Sequence, residues 1–379
     1  MFQKSQKKRI GIDARLYGPK QTGPGRYVQK LIQNLEKIDL DNQYIVFLRK
    51  ENWNEYQPKN KNFKKVLADC HWYTLKEQIL MPFKIRQAKV DLMHFPHFNV
   101  PVFCFKPFVV TIHDLILKRF PTRRVSALEP FSYWFKNLAY HLVIYSAVKR
   151  SKKIIAISNY TKKDILKYFS IDSKKIKVIY EGVPDSPRTV IENDVLGTRT
   201  SFLGRSLDKP YLLYVGNAYP HKNLERLIVA FDGLNKNGMQ LVLAGRLDYF
   251  YKKIQKRFSG FKNIVFTDFI LDKDLPILYQ NASLYIFPSL CEGFGLPPLE
   301  AMSYQVPVVC SKATCLPEIL GQAAIYFNPE DIEDMKKKIK LVLEDKELQE
   351  KLKLEGNKRI KKYSWVRMAK EIFVVYSEN

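Results

Sequence analysis

The sequence predicts an α/β protein built from two doubly wound, Rossmann-like domains. Short apolar segments alternate with amphipathic helical segments through the first half of the chain and again through the second half. Between residues 184 and 209 this periodicity stops, and Pro, Ser, Thr, Asn and Gly dominate, as in a linker. A length of 379 residues suits two domains with separate cores. We therefore expect domains at residues 1–185 and 209–362, joined by a linker at 186–208.

In the first half, short apolar runs predict parallel strands, and stretches with helical spacing predict the helices between them. Ser158 is expected to cap the helix that follows it, because its hydroxyl can accept a hydrogen bond from a first-turn N–H group. The strands are expected at residues 9–13, 44–48, 63–67, 90–95, 108–112, 153–157 and 177–180, and the helices at about 26–37, 75–87, 128–149 and 160–169.

The second half repeats the same alternation, which predicts a second doubly wound sheet. Residues 316–319 are read as a turn between two of its elements. Strands are expected at residues 211–215, 241–244, 264–266, 284–287, 306–310 and 324–327, and helices at 224–235, 249–258, 273–281, 299–305, 331–343, 346–361 and 365–376.

Cysteine usage and the lack of long apolar runs bear on the compartment. The five cysteines are scattered and form no CxxC pair, which favours a reducing compartment and argues against a zinc site or a disulfide framework. No segment reaches the roughly 18 apolar residues of a membrane-spanning helix, and the first residues lack the apolar core of a signal peptide. We expect a cytoplasmic protein.

The charge is strongly basic and unevenly distributed. The net charge is +25, and residues 1–185 hold 35 basic and 15 acidic side chains. Such a surface attracts nucleic acid, anionic lipid or phosphorylated substrates, although a lysine-rich solvated surface explains it equally well. The helix predicted at 128–149 has aromatic residues with basic flanks, and both core packing and contact with a membrane surface stay open.

The stretch at residues 288–300 carries the clearest chemistry. It contains two glycines, two prolines suited to a first helical turn, and the carboxylates Glu292 and Glu300. Backbone N–H groups at such a helix start bind phosphate, whereas the two acids would bind sugar hydroxyls. The ligand that fits both features is a nucleoside diphosphate sugar.

The segment Glu292-Gly-Phe-Gly-Leu-Pro-Pro-Leu-Glu300 resembles the E-x7-E signature of retaining glycosyltransferases of family 4. The resemblance extends over nearly all of the chain. It implies the GT-B fold, in which two Rossmann-like domains face each other across a cleft and a terminal helix, here residues 363–379, crosses back onto the first domain. It also implies a second domain that binds the nucleotide sugar, with no cofactor and no metal required.

The resemblance assigns roles to individual residues. His113 is expected to reach the donor sugar, Lys222 to neutralise the diphosphate and Glu292 to hold the sugar, and these three form the predicted catalytic set. Asn217 stands where many family members have Arg, so more of the charge stabilisation would fall on Lys222. The predicted donor-binding set is Gly23, Gly25, Gly216, Asn217, Lys222, Gly293, Phe294, Gly295, Leu296 and Glu300, and the predicted acceptor-side set is Arg26, Tyr27, His97 and Asp114.

The predicted reaction is the transfer of a hexose, with mannose favoured, to a hydroxyl of a glycan or a polyprenyl- or other lipid-linked acceptor in surface polysaccharide or lipopolysaccharide synthesis. GDP-mannose is the favoured donor, and a UDP-hexose is possible. The enzyme would work in the cytoplasm or on the inner face of the cell membrane, where an anionic lipid surface is a possible partner.

Two other classes of function stay open at this point. One is another GT-B enzyme, either a sugar-nucleotide epimerase or a phosphorylase. The other is a basic nucleic-acid-binding protein, which is disfavoured because no RNA- or DNA-binding module is recognisable and no specific nucleic acid partner is expected. The oligomeric state is left open.

Overall fold

The computed structural model describes residues 7–18, 22–120, 130–183, 201–202, 205–206, 210–234, 238–261 and 263–379. The chain divides into two compact units. Unit 1 comprises Met1–Gly182 together with Ser364–Asn379, and unit 2 comprises Val183–Tyr363. Most of the predicted linker at 186–208, and the start of the helix predicted from residue 128, lie outside the described residues.

Unit 1 is built on a parallel sheet of seven strands in the order β3-β2-β1-β4-β5-β6-β7. The order reverses between β1 and β4, which creates a crevice at the carboxyl ends of these strands where doubly wound folds bind ligands. The strands are β1 (Arg9–Asp13), β2 (Gln43–Leu48), β3 (Phe63–Leu67), β4 (Leu92–Phe95), β5 (Phe108–Ile112), β6 (Lys153–Ala156) and β7 (Ile176–Val178).

The helices of unit 1 follow the predicted positions with one notable difference. The helix expected from about residue 26 begins at Thr22, so Gly23, Pro24 and Gly25 lie in its first turn rather than in a loop. Proline is tolerated there because its missing N–H has no partner within a first helical turn. The helices are α1 (Thr22–Ile38), α2 (Leu75–Gln87), α3 (Ile116–Arg119), α4 (Pro130–Arg150), α5 (Asn159–Tyr168) and, at the end of the chain, α13 (Trp365–Glu378).

The caps of two helices show how local sequence fixes their starts. The hydroxyl of Ser158 accepts a hydrogen bond from the N–H of Thr161 at 3.0 Å, which confirms the predicted cap of α5. Ser364 caps α13 in the same way, and α13 then packs against α1. The last helix therefore belongs to the core of unit 1.

Unit 2 repeats the design with a six-stranded parallel sheet in the order β12-β11-β10-β13-β14-β15. Its order reverses between β10 and β13, so its ligand crevice is expected at the ends of those two strands. Before it, β8 (Ser201–Phe202) and β9 (Arg205–Ser206) form a small antiparallel ladder. The strands of the sheet are β10 (Tyr211–Val215), β11 (Gln240–Ala244), β12 (Ile264–Phe266), β13 (Leu284–Phe287), β14 (Val308–Ser311) and β15 (Ile325–Phe327).

Two helices of unit 2 differ from the sequence predictions. The helix expected at 299–305 begins at Leu296, and the segment read as a turn at 316–319 is a short helix. In both, proline occupies the first turn, where its missing N–H has no helical partner, and for α9 the sequence had already suggested this position for its two prolines. The helices are α6 (Leu224–Asp232), α7 (Tyr249–Arg257), α8 (Leu275–Gln280), α9 (Leu296–Ser303), α10 (Leu316–Leu320), α11 (Ile332–Glu344) and α12 (Lys346–Ile360).

Both sheets are covered by helices, and central strands such as β5, β13 and β14 are entirely buried, as expected for parallel sheets. The predicted class of two doubly wound α/β sheets is confirmed. Within the described residues, no helix is both long enough and apolar enough to traverse a lipid bilayer.

Candidate active site

In unit 2 three loops leave the carboxyl ends of the neighbouring strands β10, β13 and β14, and two of these loops carry predicted site residues. The loop after β10 carries Gly216 and Asn217, the loop after β13 carries Glu292, and the loop after β14 carries Thr314. Because β10 and β13 are the strands between which the order reverses, these loops surround the crevice where such a sheet binds its ligand.

The α9 helix begins inside this set of loops with a glycine that no other residue could replace without strain. Gly295 is the N-cap residue and has φ of 96°, a left-handed conformation that side chains disfavour. A Cβ atom at this position would lie 2.7 Å from Cδ2 of Leu316. The segment Gly293–Leu296 therefore leads into the positive end of the α9 dipole, beside the other loops.

Lys222 and Glu292 form a largely buried ion pair. The Lys222 Nζ atom lies 2.6 Å from Oε1 of Glu292, and the two side chains are only 14% and 11% exposed. Lys222 also lies over the ring of Phe287, 5.6 Å from its centroid. Two residues that were predicted to bind different parts of a donor, the diphosphate and the sugar, are therefore in direct contact in this structure.

Thr314, which the sequence analysis did not single out, holds the backbone of Glu292. Its Oγ1 atom accepts a hydrogen bond from the N–H of Glu292 at 3.0 Å. Thr314 has φ of 51°, which is unfavourable for a β-branched residue. Strained residues of this kind persist where the surroundings fix them, so we infer that the bond to Glu292 offsets part of the strain.

Glu300, one of the two acids predicted to bind sugar hydroxyls of the donor, lies within α9 and is buried. Its Oε2 atom accepts a hydrogen bond from the hydroxyl of Tyr279 at 3.3 Å. The Tyr279 ring stacks on Tyr304, with the ring planes 8° apart. The carboxylate is thus held in place by a tyrosine on α8, another contact that the sequence did not predict.

Asn223 fixes the segment that carries Lys222. It occupies a left-handed conformation with φ of 61° at the start of α6. Its side-chain amide donates to the carbonyl oxygens of Pro288 at 3.1 Å and Pro329 at 2.7 Å. Asn223 therefore ties the Lys222 segment to the loops after β13 and β15.

The turn after β10 is held by a close approach of two backbones. A Cβ atom at Gly245 would lie 1.9 Å from the carbonyl oxygen of Gly216, so only glycine fits there. The hydroxyl of Tyr214 donates to the carbonyl of Asn217 at 2.7 Å. Gly216 and Asn217 are therefore rigidly placed at the edge of the crevice.

In unit 1, both ring nitrogens of His113 face hydrogen-bond acceptors. Nδ1 lies 3.1 Å from Oε1 of Glu181, and Nε2 lies 2.8 Å from the carbonyl oxygen of Pro96. Because carboxylate and carbonyl oxygens only accept, we assign a proton to each nitrogen, which makes the ring an imidazolium. Burial alone lowers the pKa of His113, but the hydrogen bond and charge of Glu181 outweigh it, and the pKa is raised above its usual value.

A chain of buried polar groups runs from α13 to the neighbourhood of His113. The Tyr376 hydroxyl lies 2.6 Å from Nδ1 of His94, whose Nε2 lies 2.9 Å from Oγ1 of Thr111. Oγ1 of Thr111 lies 3.1 Å from the hydroxyl of Tyr27, whose ring packs edge-on against His113 at 4.8 Å. Burial and the nearby His113 lower the pKa of His94 to about 3, so this ring is neutral.

Of the four predicted acceptor-side residues, Tyr27 and Asp114 make supporting contacts within unit 1, whereas His97 and Arg26 are partly exposed. Tyr27 is fully buried and its ring packs against His113, so in this structure it does not face a ligand. The Oδ1 atom of Asp114 accepts a hydrogen bond from the N–H of Ile116 at 2.9 Å, so Asp114 stabilises the loop after β5. His97 is partly exposed, and the centre of its ring lies 6.4 Å from the centre of the His113 ring. Arg26 is partly exposed near the start of α1.

A buried ionic cluster after β1 was also missed by the sequence analysis. Arg15 binds both carboxylate oxygens of Asp13 and lies 2.5 Å from Oε1 of Glu77. Asn99 donates to the same Glu77 oxygen at 2.6 Å. The only sequence signal was the Asp13-Ala-Arg15 segment directly after a buried strand.

The described side chains form no cluster of metal ligands. Within the ranges that the structure covers, no group of three or more His, Cys, Asp or Glu residues is arranged to hold an ion. The absence of a metal requirement stays a prediction.

Comparison with known families accounts for this arrangement. Residues 22–186 match the model for Glycosyltransferase Family 4, and residues 200–359 match the model for Glycosyl transferases group 1. The O-antigen chain mannosyltransferase RfbU of Salmonella typhimurium is 30% identical over 275 residues, which cover 71% of this chain and 69% of that protein. The chain belongs to the family 4 glycosyltransferases.

Other relatives of this glycosyltransferase agree in sequence and in fold. O-antigen chain mannosyltransferase B of Escherichia coli is 29% identical over 293 residues, covering 74% of this chain and 72% of the relative. Sucrose-phosphate synthase from Thermosynechococcus elongatus has a TM-score of 0.75 at 17% identity, over 98% and 99% of the two chains. The Anabaena protein HepE, solved in complex with UDP and glucose, has a TM-score of 0.71 at 17% identity, over 99% and 100%. The structural likeness confirms the predicted GT-B fold class.

Proposed function

We propose that this glycosyltransferase moves a hexose, with mannose favoured, from a nucleotide sugar to a hydroxyl of a glycan or lipid-linked acceptor in surface polysaccharide synthesis. The two mannosyltransferase relatives support the sugar, and GDP-mannose is the preferred donor, with a UDP-hexose as the alternative. The observation that carries the proposal is the Lys222–Glu292 pair beside the N-terminus of α9.

The proposed reaction breaks the bond between the anomeric carbon and the diphosphate oxygen and forms a bond from that carbon to the acceptor oxygen. The acceptor's proton passes to the departing phosphate, and the anomeric configuration is retained. Bond cleavage places negative charge on the diphosphate, which Lys222 and the backbone of Gly293–Leu296 would stabilise. This chemistry requires no metal.

The two carboxylates would bind hydroxyl groups of the donor. Glu292 already contacts Lys222, so the ammonium group can neutralise phosphate while its partner carboxylate faces the sugar. Glu300 on α9 would bind the ribose, oriented by Tyr279. The contact of His113 with the donor sugar is proposed from the family resemblance alone.

A panel of nucleotide sugars tests the proposal. In EDTA, GDP-mannose should raise the melting temperature of the wild-type protein, and Lys222→Ala or Glu300→Ala should remove both this shift and donor turnover. Glu347→Ala, at an exposed position of α12, is the matched control and should behave as the wild type. Full turnover in both Lys222→Ala and Glu300→Ala would contradict the proposal.

The same assay separates the other GT-B chemistries. An epimerase would release a changed nucleotide sugar with no acceptor present, and a phosphorylase would require inorganic phosphate. A glycosyltransferase should instead show product formation that depends on an added glycan or lipid-linked acceptor.

A lipid-linked acceptor would place the enzyme on the inner face of the cell membrane. Support comes from the net charge of +25, most of which lies in the first half of the chain. Anionic lipid headgroups attract such a surface.

A further inference from the structure

We propose that unit 1 binds an anionic lipid bilayer through one surface formed by α2, the loop at residues 101–107 and α4. We call this the docking surface. It rests on the proposed function, since it names the partner that a lipid-linked acceptor requires, but its binding can be measured without any sugar transfer.

The first part of the docking surface is the outer face of α2. Leu75, Ile79 and Phe83 are 85%, 75% and 59% exposed. They follow each other at intervals of four residues and therefore lie on one side of the helix. The opposite side, with Met81 and Ile85, is buried in the core. The helix thus has two apolar faces, of which only one has a partner within the described chain.

The second part is the loop that follows β4. Phe105 is 86% exposed and Phe103 is 57% exposed. This loop lies beside α2, because the N–H of Val102 donates to Oε1 of Gln78 at 2.7 Å. The exposed phenylalanines therefore extend the apolar face of α2 instead of forming a separate feature.

The third part is the outer face of α4. Leu138, Leu142 and Tyr145 are exposed at intervals of four and three residues, whereas Tyr140 and Ile144 are buried. The carboxyl end of this helix meets the loop, since Arg150 donates to the carbonyl oxygens of Val102 and Cys104. Hydrogen bonds therefore link the three elements in sequence.

The charges beside the docking surface are almost all positive. Between residues 78 and 113 the only acid is Asp91, and residues 137–153 contain none. Glu77 on α2 points inward and is fully buried with Arg15. The cations on the described side chains of these elements are Lys76, Lys84, Arg86, Lys106, Lys149 and Arg150.

This combination fits a bilayer better than it fits a second copy of the chain. Monomeric proteins rarely leave several large apolar side chains exposed side by side. A second copy would bring another basic surface and another net charge of +25 against this one. An anionic bilayer instead offers negative headgroups for the cations and an apolar layer for the side chains, which enter it by roughly 5–10 Å.

Vesicle flotation tests the docking surface. We compare the wild type with the triple variant Leu75→Ser, Ile79→Ser, Phe83→Ser, using vesicles of phosphatidylcholine and phosphatidylglycerol at a ratio of three to one. The variant should bind at least about tenfold more weakly, a factor that corresponds to about 1.4 kcal/mol. The matched control is Leu341→Ser with Leu354→Ser, two exposed leucines of unit 2, and it should bind as the wild type does.

A charge variant completes the test. Lys76→Glu with Arg86→Glu should abolish the preference for the mixed vesicles over pure phosphatidylcholine, and high salt should act in the same way. The proposal is overturned if the triple variant binds vesicles as tightly as the wild type, or if size-exclusion light scattering shows a dimer that the triple variant converts to monomer.

Failure of this inference is distinguishable from failure of the proposed function. The triple variant should keep the melting-temperature shift with GDP-mannose and the transfer to a detergent-free, water-soluble glycan acceptor. A wild type that floats with vesicles but responds to no nucleotide sugar would contradict the proposed function and leave the docking surface supported.

Discussion

The Lys222–Glu292 pair allows stability and catalysis to be separated by substitution. Lys222→Met removes the ammonium group and leaves the Glu292 carboxylate, which is 11% exposed, without its partner at 2.6 Å. Breaking a buried pair in this way costs about 3–5 kcal/mol. At about 2–4 °C per kcal/mol for a domain of this size, the melting temperature should fall by roughly 6–20 °C.

The double variant Lys222→Met, Glu292→Gln carries no unpaired charge at this place. Its stability should return to within about 1.5 kcal/mol of the wild type, because replacing both partners of a buried pair is often neutral. Its kcat/KM for the donor should stay low by about 2.7–4 kcal/mol, or roughly 100- to 1000-fold, since the charge that stabilises the leaving diphosphate is missing.

Thermal melting and steady-state kinetics with GDP-mannose measure the two effects side by side. The control is Lys353→Met with Glu350→Gln, an exposed pair on α12 at 2.7 Å. Exposed pairs contribute little, so this control should change stability by no more than about 0.5 kcal/mol and leave activity unchanged. A double variant that regains wild-type activity, or a single variant as stable and active as the wild type, would refute the reasoning.

Three further predictions concern the supporting residues. Thr314→Ala keeps the strained backbone but loses the hydrogen bond to Glu292, so it should lower the free energy of unfolding by about 1–2 kcal/mol. Thr314→Gly relieves the strain and should melt near the wild type, yet it should raise the KM for the donor. Equal KM values in Thr314→Gly and the wild type would contradict a positioning role for Thr314. Glu181→Gln should lower the pKa of His113 and move the alkaline limb of the kcat/KM profile to lower pH, and an unmoved limb would contradict the imidazolium assignment. The pKa of the buried His94 is about 3 in the folded protein, whereas a histidine in the unfolded chain has a pKa near 6.5. The free energy of unfolding measured in urea should therefore fall as pH drops below about 6.5, by up to about 1.4 kcal/mol per pH unit. His94→Asn should flatten this pH dependence, and an unchanged slope would show that other groups cause it.

The strands were predictable because a buried parallel strand is specified locally. The strands β1, β3, β5, β10, β12 and β13 have the predicted bounds, and β5, β10 and β13 are short apolar runs that are almost wholly buried. Helix starts were harder. The segment Gly23–Gly25 was expected to be a loop, because glycine and proline are typical of loops, yet it forms the first turn of α1.

For the candidate site, the sequence named individual residues but none of their contacts. The family resemblance pointed to Lys222 and His113, and the motif at residues 292–300 pointed to Glu292. They did not show that Lys222 contacts Glu292 or that Glu181 contacts His113, because these partners lie 70 and 68 residues apart. Distant pairs depend on how the strands are ordered in the sheet, which local periodicity does not encode.

Thr314 illustrates a second limit of sequence reasoning. Glycine or asparagine usually occupies a left-handed backbone position, and here a threonine occupies one. The cause lies in a hydrogen bond to a residue 22 positions away, which becomes visible only in the folded chain.

Calorimetric titration of GDP-mannose in EDTA tests the central claim most directly, namely that unit 2 holds a nucleotide sugar between Lys222, Glu292 and the start of α9. The wild type should bind with one site, and Lys222→Met, Glu292→Gln should weaken binding or turnover by roughly 100-fold while remaining folded. Equal binding and equal turnover in both proteins, or binding that appears only when a divalent metal is added, would contradict the account.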